Sequence, residues 1–367
     1  MAEPRPVGPL RMAADFPPSR AAAGSGFDRV VPALTPAGSP GADAVALPRP
    51  ELAVETRALT KRYRNPWTLR VQPGVESLDL EVARGEVMGY LGPNGAGKTT
   101  TLKILTGLHK PTSGRAWLLG EPVDRVSSRR RLGFLPEHPY FYDYLNGVEY
   151  LSFAGQLSGL GAHEADVRAR DWLGRVGLGD HPRRVMRKYS KGMLQRLGLA
   201  SALIHEPELL ILDEPMSGLD PFGRRDVREL ILEQRNRGVT VLFSSHILPD
   251  VEQICDRVAI LVEGRLRRVA TVGQLMNEAR NQVAIRCAGT PIGEIPPAHR
   301  EHLERREYPD ETVFMLGDPE RLNDVIAWLV QSGTKVRAVT PQRASLEELF
   351  MAATEQWSPR EAERKTA

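Results

Sequence analysis

The stretch Gly92-Pro93-Asn94-Gly95-Ala96-Gly97-Lys98-Thr99-Thr100 decides the fold. It fits a spaced pattern: Gly, four residues, then Gly-Lys-Thr. The apolar run Val87-Met88-Gly89-Tyr90-Leu91 before it has strand character, and Leu102-Lys103-Ile104-Leu105 after it reads as helix. Strand, glycine-rich loop and helix in that order form a phosphate-binding loop. Its glycines let successive backbone N–H groups turn inward without a Cβ in the way. The positive end of a helix opening near Lys98 adds to the attraction for phosphate. Lys98 is expected to reach the β and γ phosphates, and Thr99 to give its hydroxyl to Mg²⁺.

Two further apolar runs end in polar residues. Leu209-Leu210-Ile211-Leu212 has the continuous hydrophobicity of a central parallel strand and leads into Asp213-Glu214. Val239-Thr240-Val241-Leu242-Phe243 leads into Ser244-Ser245-His246. In an open α/β sheet, ligands bind at the carboxyl ends of the strands, so these groups are expected at the same edge as the glycine loop. Phosphoryl transfer depends mainly on positioning and charge neutralisation. Asp213 then serves as a Mg²⁺ ligand through water. Glu214 polarises the attacking water, and His246 contacts the γ-phosphate.

Strands alternating with helices around these runs predict an α/β sheet. The segments Ala53 to Leu59 and Val75 to Val82 alternate like strands, as does the region from Ala116 to Leu119, followed by a turn at Gly120-Glu121-Pro122. Residues 146 to 203 are predicted mostly helical, with Val148, Leu151, Phe153, Ala154, Val167, Trp172, Leu173 and Val176 at helical spacing. Phe222 to Arg237 and Leu248 to Ile254 read as helices, and Val258 to Ala270 as a hairpin around Glu263-Gly264. The pattern shifts near Asn277 to Asn281. Beyond it come strands at Gln282 to Cys287, Thr312 to Leu316 and Lys335 to Val339, a helix at Arg321 to Gln331, and a capping box opening a helix at Ser345. The expected divisions are a Pro/Ala-rich tail over 1–50, a main unit over 51–275 with a helical part at about 140–195, a small α+β unit over 280–356 and a loose end over 357–367.

Composition narrows the class. The chain has 49 basic and 46 acidic residues, a net +3 too balanced to point to nucleic acid, and 41% hydrophobic residues, enough for a sizeable core. Cys255 and Cys287 are the only cysteines, so no disulfide framework holds the fold. The longest apolar runs, such as Val325 to Val330, fall far short of the roughly 20 residues a membrane helix needs. A membrane role would therefore go through a partner chain or a surface contact. No Asn-Lys-x-Asp guanine motif is present, which argues against a GTPase, and no histidine–cysteine grouping suggests zinc.

Together the motifs resemble the ATP-binding subunit of an ABC transporter over about residues 52 to 270. Tyr189-Ser190-Lys191-Gly192-Met193-Leu194-Gln195-Arg196 occupies the place of that family's signature, and Ser217-Gly218-Leu219-Asp220 looks like its D-loop. His246 looks like the switch histidine, Glu137 holds the Q-loop position, and Tyr63 matches the aromatic that stacks on adenine. The resemblance implies a P-loop ABC cassette: a RecA-like core, an antiparallel β subdomain and a helical subdomain, here followed by the α+β unit. It implies ATP and Mg²⁺ as ligands. The nucleotide set is then Tyr63, Gly92 to Thr100, Ser190, Gly192 and Asp220; the metal set is Thr99, Glu137 and Asp213; the catalytic set is Glu214, His246 and Lys98.

The sequence departs from the family pattern in three places. Glu137 stands where many members have Gln, Lys191 replaces a glycine, and Met193 replaces a Gln. The connection from Arg64 to Gly74, with Trp67, is also longer than usual, and Trp67 is a second candidate for the base. The α+β unit resembles the C-terminal extension of ATPases serving drug, polysaccharide and heme-type exporters, whose permease is a separate chain. The resemblance thus implies an integral membrane permease as partner and a second ATPase subunit in a head-to-tail ATP sandwich. It places the chain in the cytoplasm on the inner face of the membrane and involves no nucleic acid. The alternative is a soluble ABC-type ATPase acting on a non-membrane partner.

Overall fold

A computed structural model describes residues 48–64, 71–180, 182–279, 282–289, 294–308 and 310–342. The N-terminal tail to residue 47, Trp67, the helix expected from Ser345 and the end from Trp357 lie outside the described residues. The chain runs through β1 (Leu52–Arg64), β2 (Val71–Leu78), β3 (Glu81–Ala83), β4 (Val87–Leu91), α1 (Lys98–Leu105), β5 (Ser113–Leu118), β6 (Glu121–Pro122) and β7 (Leu132–Leu135). There follow α2 (Gly147–Leu157), α3 (Ala162–Arg175), α4 (Lys191–Leu203), β8 (Leu209–Asp213), α5 (Pro221–Asn236), β9 (Thr240–Ser245), α6 (Leu248–Ile254), β10 (Arg257–Val262) and β11 (Arg265–Thr271).

The central sheet has the order β11-β10-β4-β9-β8-β7, parallel except for β11. Its middle strands β4, β8 and β9 are buried along their whole length, which is why their sequences are continuous apolar runs. Alternate residues still choose different faces. Leu210 and Leu212 join one core with Leu151, Trp172, Leu197 and Phe243. Leu209 and Ile211 join another with Tyr90, Leu102, Leu59 and Leu118. The sheet is thus packed between the helices α2, α3 and α4 on one side and α1 with the antiparallel sheet β2-β1-β5-β6 on the other.

Several expectations need correction. The alternation from Val75 to Val82 is two strands, not one. β2 pairs with the far half of β1 and β3 with its near half. Between them the Thr56 hydroxyl donates to Leu78 O at 2.8 Å and accepts from Leu80 N at 2.8 Å, replacing ladder bonds at the break. Val75, Leu78, Leu80 and Val82 are all buried, so the period survives a change of partner. The turn after β5 falls at Leu119-Gly120, both at positive φ, and Glu121–Pro122 already pairs back as β6. Phe153 and Val167 lie on helices as expected but face out, 40% and 53% exposed, so they are not core.

After β11 comes α7 (Val272–Ala279), whose Leu275 packs into the main core, and the C-terminal unit then holds β12 (Gln282–Ala288), β13 (Leu303–Glu307), β14 (Glu311–Leu316), α8 (Leu322–Gln331) and β15 (Lys335–Gln342). Its antiparallel sheet has the order β13-β14-β12-β15, with Ile285, Phe314 and Leu316 packed on Val325 and Leu329 of α8. The sequence reading missed α7 and β13. β13 (Leu-Glu-Arg-Arg-Glu) buries one residue, Leu303, and is otherwise exposed or half-exposed, so it carries no apolar alternation.

Candidate nucleotide site

Register brings the site together. Leu91 pairs with Ser245 and Asp213 with Ser244, so β4, β8 and β9 end level with one another. The glycine loop leaves β4 at that edge. Gly97 is the N-cap of α1 in the left-handed region, φ 101°, where a side chain would be strained. It supplies no side-chain cap, and the first turn of α1 has no acidic residue. The leading N–H groups of a helix have no intrahelical partner, so here they remain directed at the cleft. A Cβ on Gly92 would lie 2.5 Å from Leu261 O, so that position accepts no side chain. The Gly264 N–H donates to Ala96 O at 2.9 Å and ties the loop to the β10–β11 turn.

Lys98 is buried, 7% exposed, and its ammonium donates to Gly92 O at 2.6 Å. It stands 3.6 Å from Glu214 Oε1, while Glu214 Oε2 is 2.7 Å from His246 Nδ1. Lysine, glutamate and histidine thus form one chain of charge-assisted contacts from the loop to the end of β9. With Tyr63, Glu137 and the loop itself they line a cleft of about 530 Å³. The buried phenol of Tyr90 contacts Thr101 Oγ1 at 3.0 Å beneath α1, and burial pushes its pKa well up, so it acts as a neutral hydroxyl.

Asp213 is placed differently from Glu214. It is 2% exposed and is not among the residues that line the cleft. Its Oδ1 accepts from the Ser244 hydroxyl at 2.6 Å, and that Ser244 Oγ in turn accepts from Glu214 N at 2.9 Å. Ser244, fully buried, therefore fixes both the Asp213 carboxylate and the backbone of Glu214, which has φ 51°. A left-handed non-glycine residue at a site is held there by its surroundings. The sequence reading quoted Ser244 but gave it no role. Its position in register with Asp213 is the signal that finds it. Ser244→Ala should cost about 1–3 kcal/mol, because a buried carboxylate oxygen loses its donor. The midpoint of thermal unfolding should fall accordingly, and an unchanged midpoint would refute that role.

Ser190, Gly192 and Asp220 do not line this cleft. Ser190 caps α4, accepting from Met193 N at 3.2 Å, and Asp220 caps α5, accepting from Gly223 N at 3.0 Å. The two segments meet each other instead. Lys191 lies over Gly218, where a Cβ would be 2.5 Å from its ammonium, and Gln195 donates to Pro215 O at 2.8 Å. Glu137 lies on the cleft wall with its side chain 43% exposed.

A parallel sheet with a phosphate loop at its carboxyl edge and a lysine–glutamate pair beside it defines a P-loop nucleoside triphosphatase. The comparisons with known proteins narrow that class. The family model described as ABC transporter matches residues 75–217. An uncharacterized ABC transporter ATP-binding protein of Synechocystis is 49% identical over 58% of this chain, which spans 61% of that relative's length. The bacitracin transport ATP-binding protein BcrA of Bacillus licheniformis is 35% identical over 81% of this chain and 96% of its own length. A solved ATP-binding subunit of an ABC transporter superposes with a TM-score of 0.56 at 32% identity, covering 61% of this chain and 92% of that one. The chain belongs to the ABC transporter ATP-binding proteins, a family of ATPases.

Proposed function

We propose that this chain is the ATP-hydrolysing subunit of an ABC exporter, working on a separate membrane permease. The observation that carries the reading is the contact chain Lys98–Glu214–His246 at the mouth of an open phosphate loop. Lys98 and the loop N–H groups hold the triphosphate, and Glu214, oriented by His246, takes the proton from the attacking water. Mg²⁺ neutralises phosphate charge when bound. Among the described residues no group of three His, Cys, Asp or Glu could hold a metal alone. That fits an ion carried in by the triphosphate, with the Thr99 hydroxyl, Asp213 through water and Glu137 at the rim as the protein's share.

Ser190, Gly192 and Asp220 lie outside the chain's own cleft, so a second copy, head to tail, would bring them to the phosphates. No described helix is long and apolar enough to cross a membrane, so attachment would run through the permease at the cytoplasmic face. Export is favoured by likeness to a bacitracin transport ATP-binding protein over nearly that protein's whole length. The test is co-purification of the tagged full chain from detergent-solubilised membranes with the product of a neighbouring permease gene. The expected result is a stable complex whose ATP hydrolysis responds to transported drug. A chain active alone and recovered only from the soluble fraction would favour a non-membrane partner.

A further inference from the structure

Tyr63 lies near the end of β1, in register with Gln72 of β2, and its ring is 37% exposed on the wall of the cleft. Its position there is set by contacts to four residues. The phenol oxygen is 3.0 Å from His109 Nδ1 and 3.3 Å from Thr100 Oγ1. The ring meets the imidazole edge-on, with centroids 5.9 Å apart. Gly74 lies against the ring edge, where a Cβ would stand 2.7 Å from Tyr63 Cε2. Lys61 Nζ lies over one face at 5.4 Å and is itself tied to Lys110 O at 2.7 Å.

The anchor at the phenol tip comes from α1. Thr100 is on its first turn, next to Thr99. His109 follows its last turn and donates its backbone N–H to Lys103 O at 3.0 Å. The helix whose N-terminus faces the phosphate loop therefore also holds the aromatic ring at the cleft mouth. Partial burial, then the charges of Lys103 and Lys61, lower the His109 pKa. A neutral imidazole can accept from the phenol, which then accepts from the Thr100 hydroxyl, so each group is satisfied. His109 belongs to none of the motifs that mark the site in sequence.

We infer that His109 is a positioning residue for nucleotide binding, fixing the Tyr63 ring through its phenol as a preformed shelf for the purine base. The inference rests on the reading that the cleft takes a nucleotide. A stacking ring that is already immobilised loses no rotamer freedom when the base arrives. Without His109 the ring regains that freedom. Binding of the base weakens, while the phosphate contacts are untouched.

The experiment measures binding of MgATP and of Mg-tripolyphosphate, which lacks a base, to the full chain by calorimetry. The proteins are the wild type, Tyr63→Ala, Tyr63→Phe, His109→Ala, His109→Asn and the Tyr63→Phe/His109→Ala double variant. Loss of one such hydrogen bond should weaken ATP binding roughly three- to ten-fold in His109→Ala and Tyr63→Phe alike. Tripolyphosphate affinity should not change, the double variant should match the singles, and His109→Asn should recover part of the loss. In turnover assays KM should rise with kcat unchanged. If Tyr63→Ala weakens ATP but His109→Ala and Tyr63→Phe do not, the His109 role is wrong. If His109→Ala weakens tripolyphosphate equally, it only supports α1, and the inference fails. If Tyr63→Ala leaves ATP affinity intact, Tyr63 is not the base shelf; if the wild type binds no ATP, the nucleotide reading itself fails.

Discussion

Glu214→Gln should bind ATP as the wild type does and hydrolyse it slower by about 10² or more, the scale of a lost general base. The carboxylate is 7% exposed and held between His246 Nδ1 at 2.7 Å and Lys98 Nζ at 3.6 Å. An amide has the same shape and can keep a contact to either neighbour, so the cleft should survive. What it cannot do is accept a proton from water. Asp213 does not line the cleft and its Oδ1 is committed to Ser244, so it is not placed to act as the base instead. The backbone of Glu214, at φ 51°, is set by its bond to Ser244 and not by the carboxylate, so the substitution leaves that turn alone. ATP binding and single-turnover hydrolysis measured on one preparation decide the matter. Near-normal turnover would remove Glu214 from the role of base.

The motifs that were legible are those whose chemistry is local. A glycine loop between a strand and a helix announces itself because glycine at φ 101° and a lysine just beyond it have few other reasons to be together. The strands that lead to Asp213 and His246 were legible because burial on both faces leaves mostly apolar residues until the strand ends, where Asp213, Ser244 and Ser245 stand. Features that depend on pairing between distant segments were not. The split of β2 from β3 is decided by Thr56, more than twenty residues away. The bond from Ser244 to Asp213 exists only because β8 and β9 pair in one register. His109 reaches Tyr63 across an interval that no sequence spacing describes. β13 was missed because it shows one buried residue and no alternation, so its pairing with β14 is visible only in the fold.

The other large effect concerns binding. Lys98→Ala should weaken ATP affinity by about 10², equivalent to roughly 3 kcal/mol, the range for a hydrogen bond made by a charged group. The ammonium is nine-tenths buried, and its contact with Gly92 O at 2.6 Å holds it over the loop. Its removal acts on two states. In the bound state the phosphates lose a charge-assisted contact. In the free state Glu214 is left as a buried carboxylate with His246 as its remaining partner, which should lower the unfolding midpoint. The two consequences separate in the Lys98→Ala/Glu214→Gln double variant. Neutralising Glu214 removes the uncompensated charge, so the midpoint should return toward the wild type while ATP affinity stays weak. Lys98→Arg sharpens the point further. It keeps the charge, but a longer, planar guanidinium does not reproduce the ammonium's compact contact to Gly92 O, so affinity should still drop. Calorimetric titration with MgATP reads both variants; wild-type affinity in Lys98→Arg would show that charge alone matters and that the contact to Gly92 O does not.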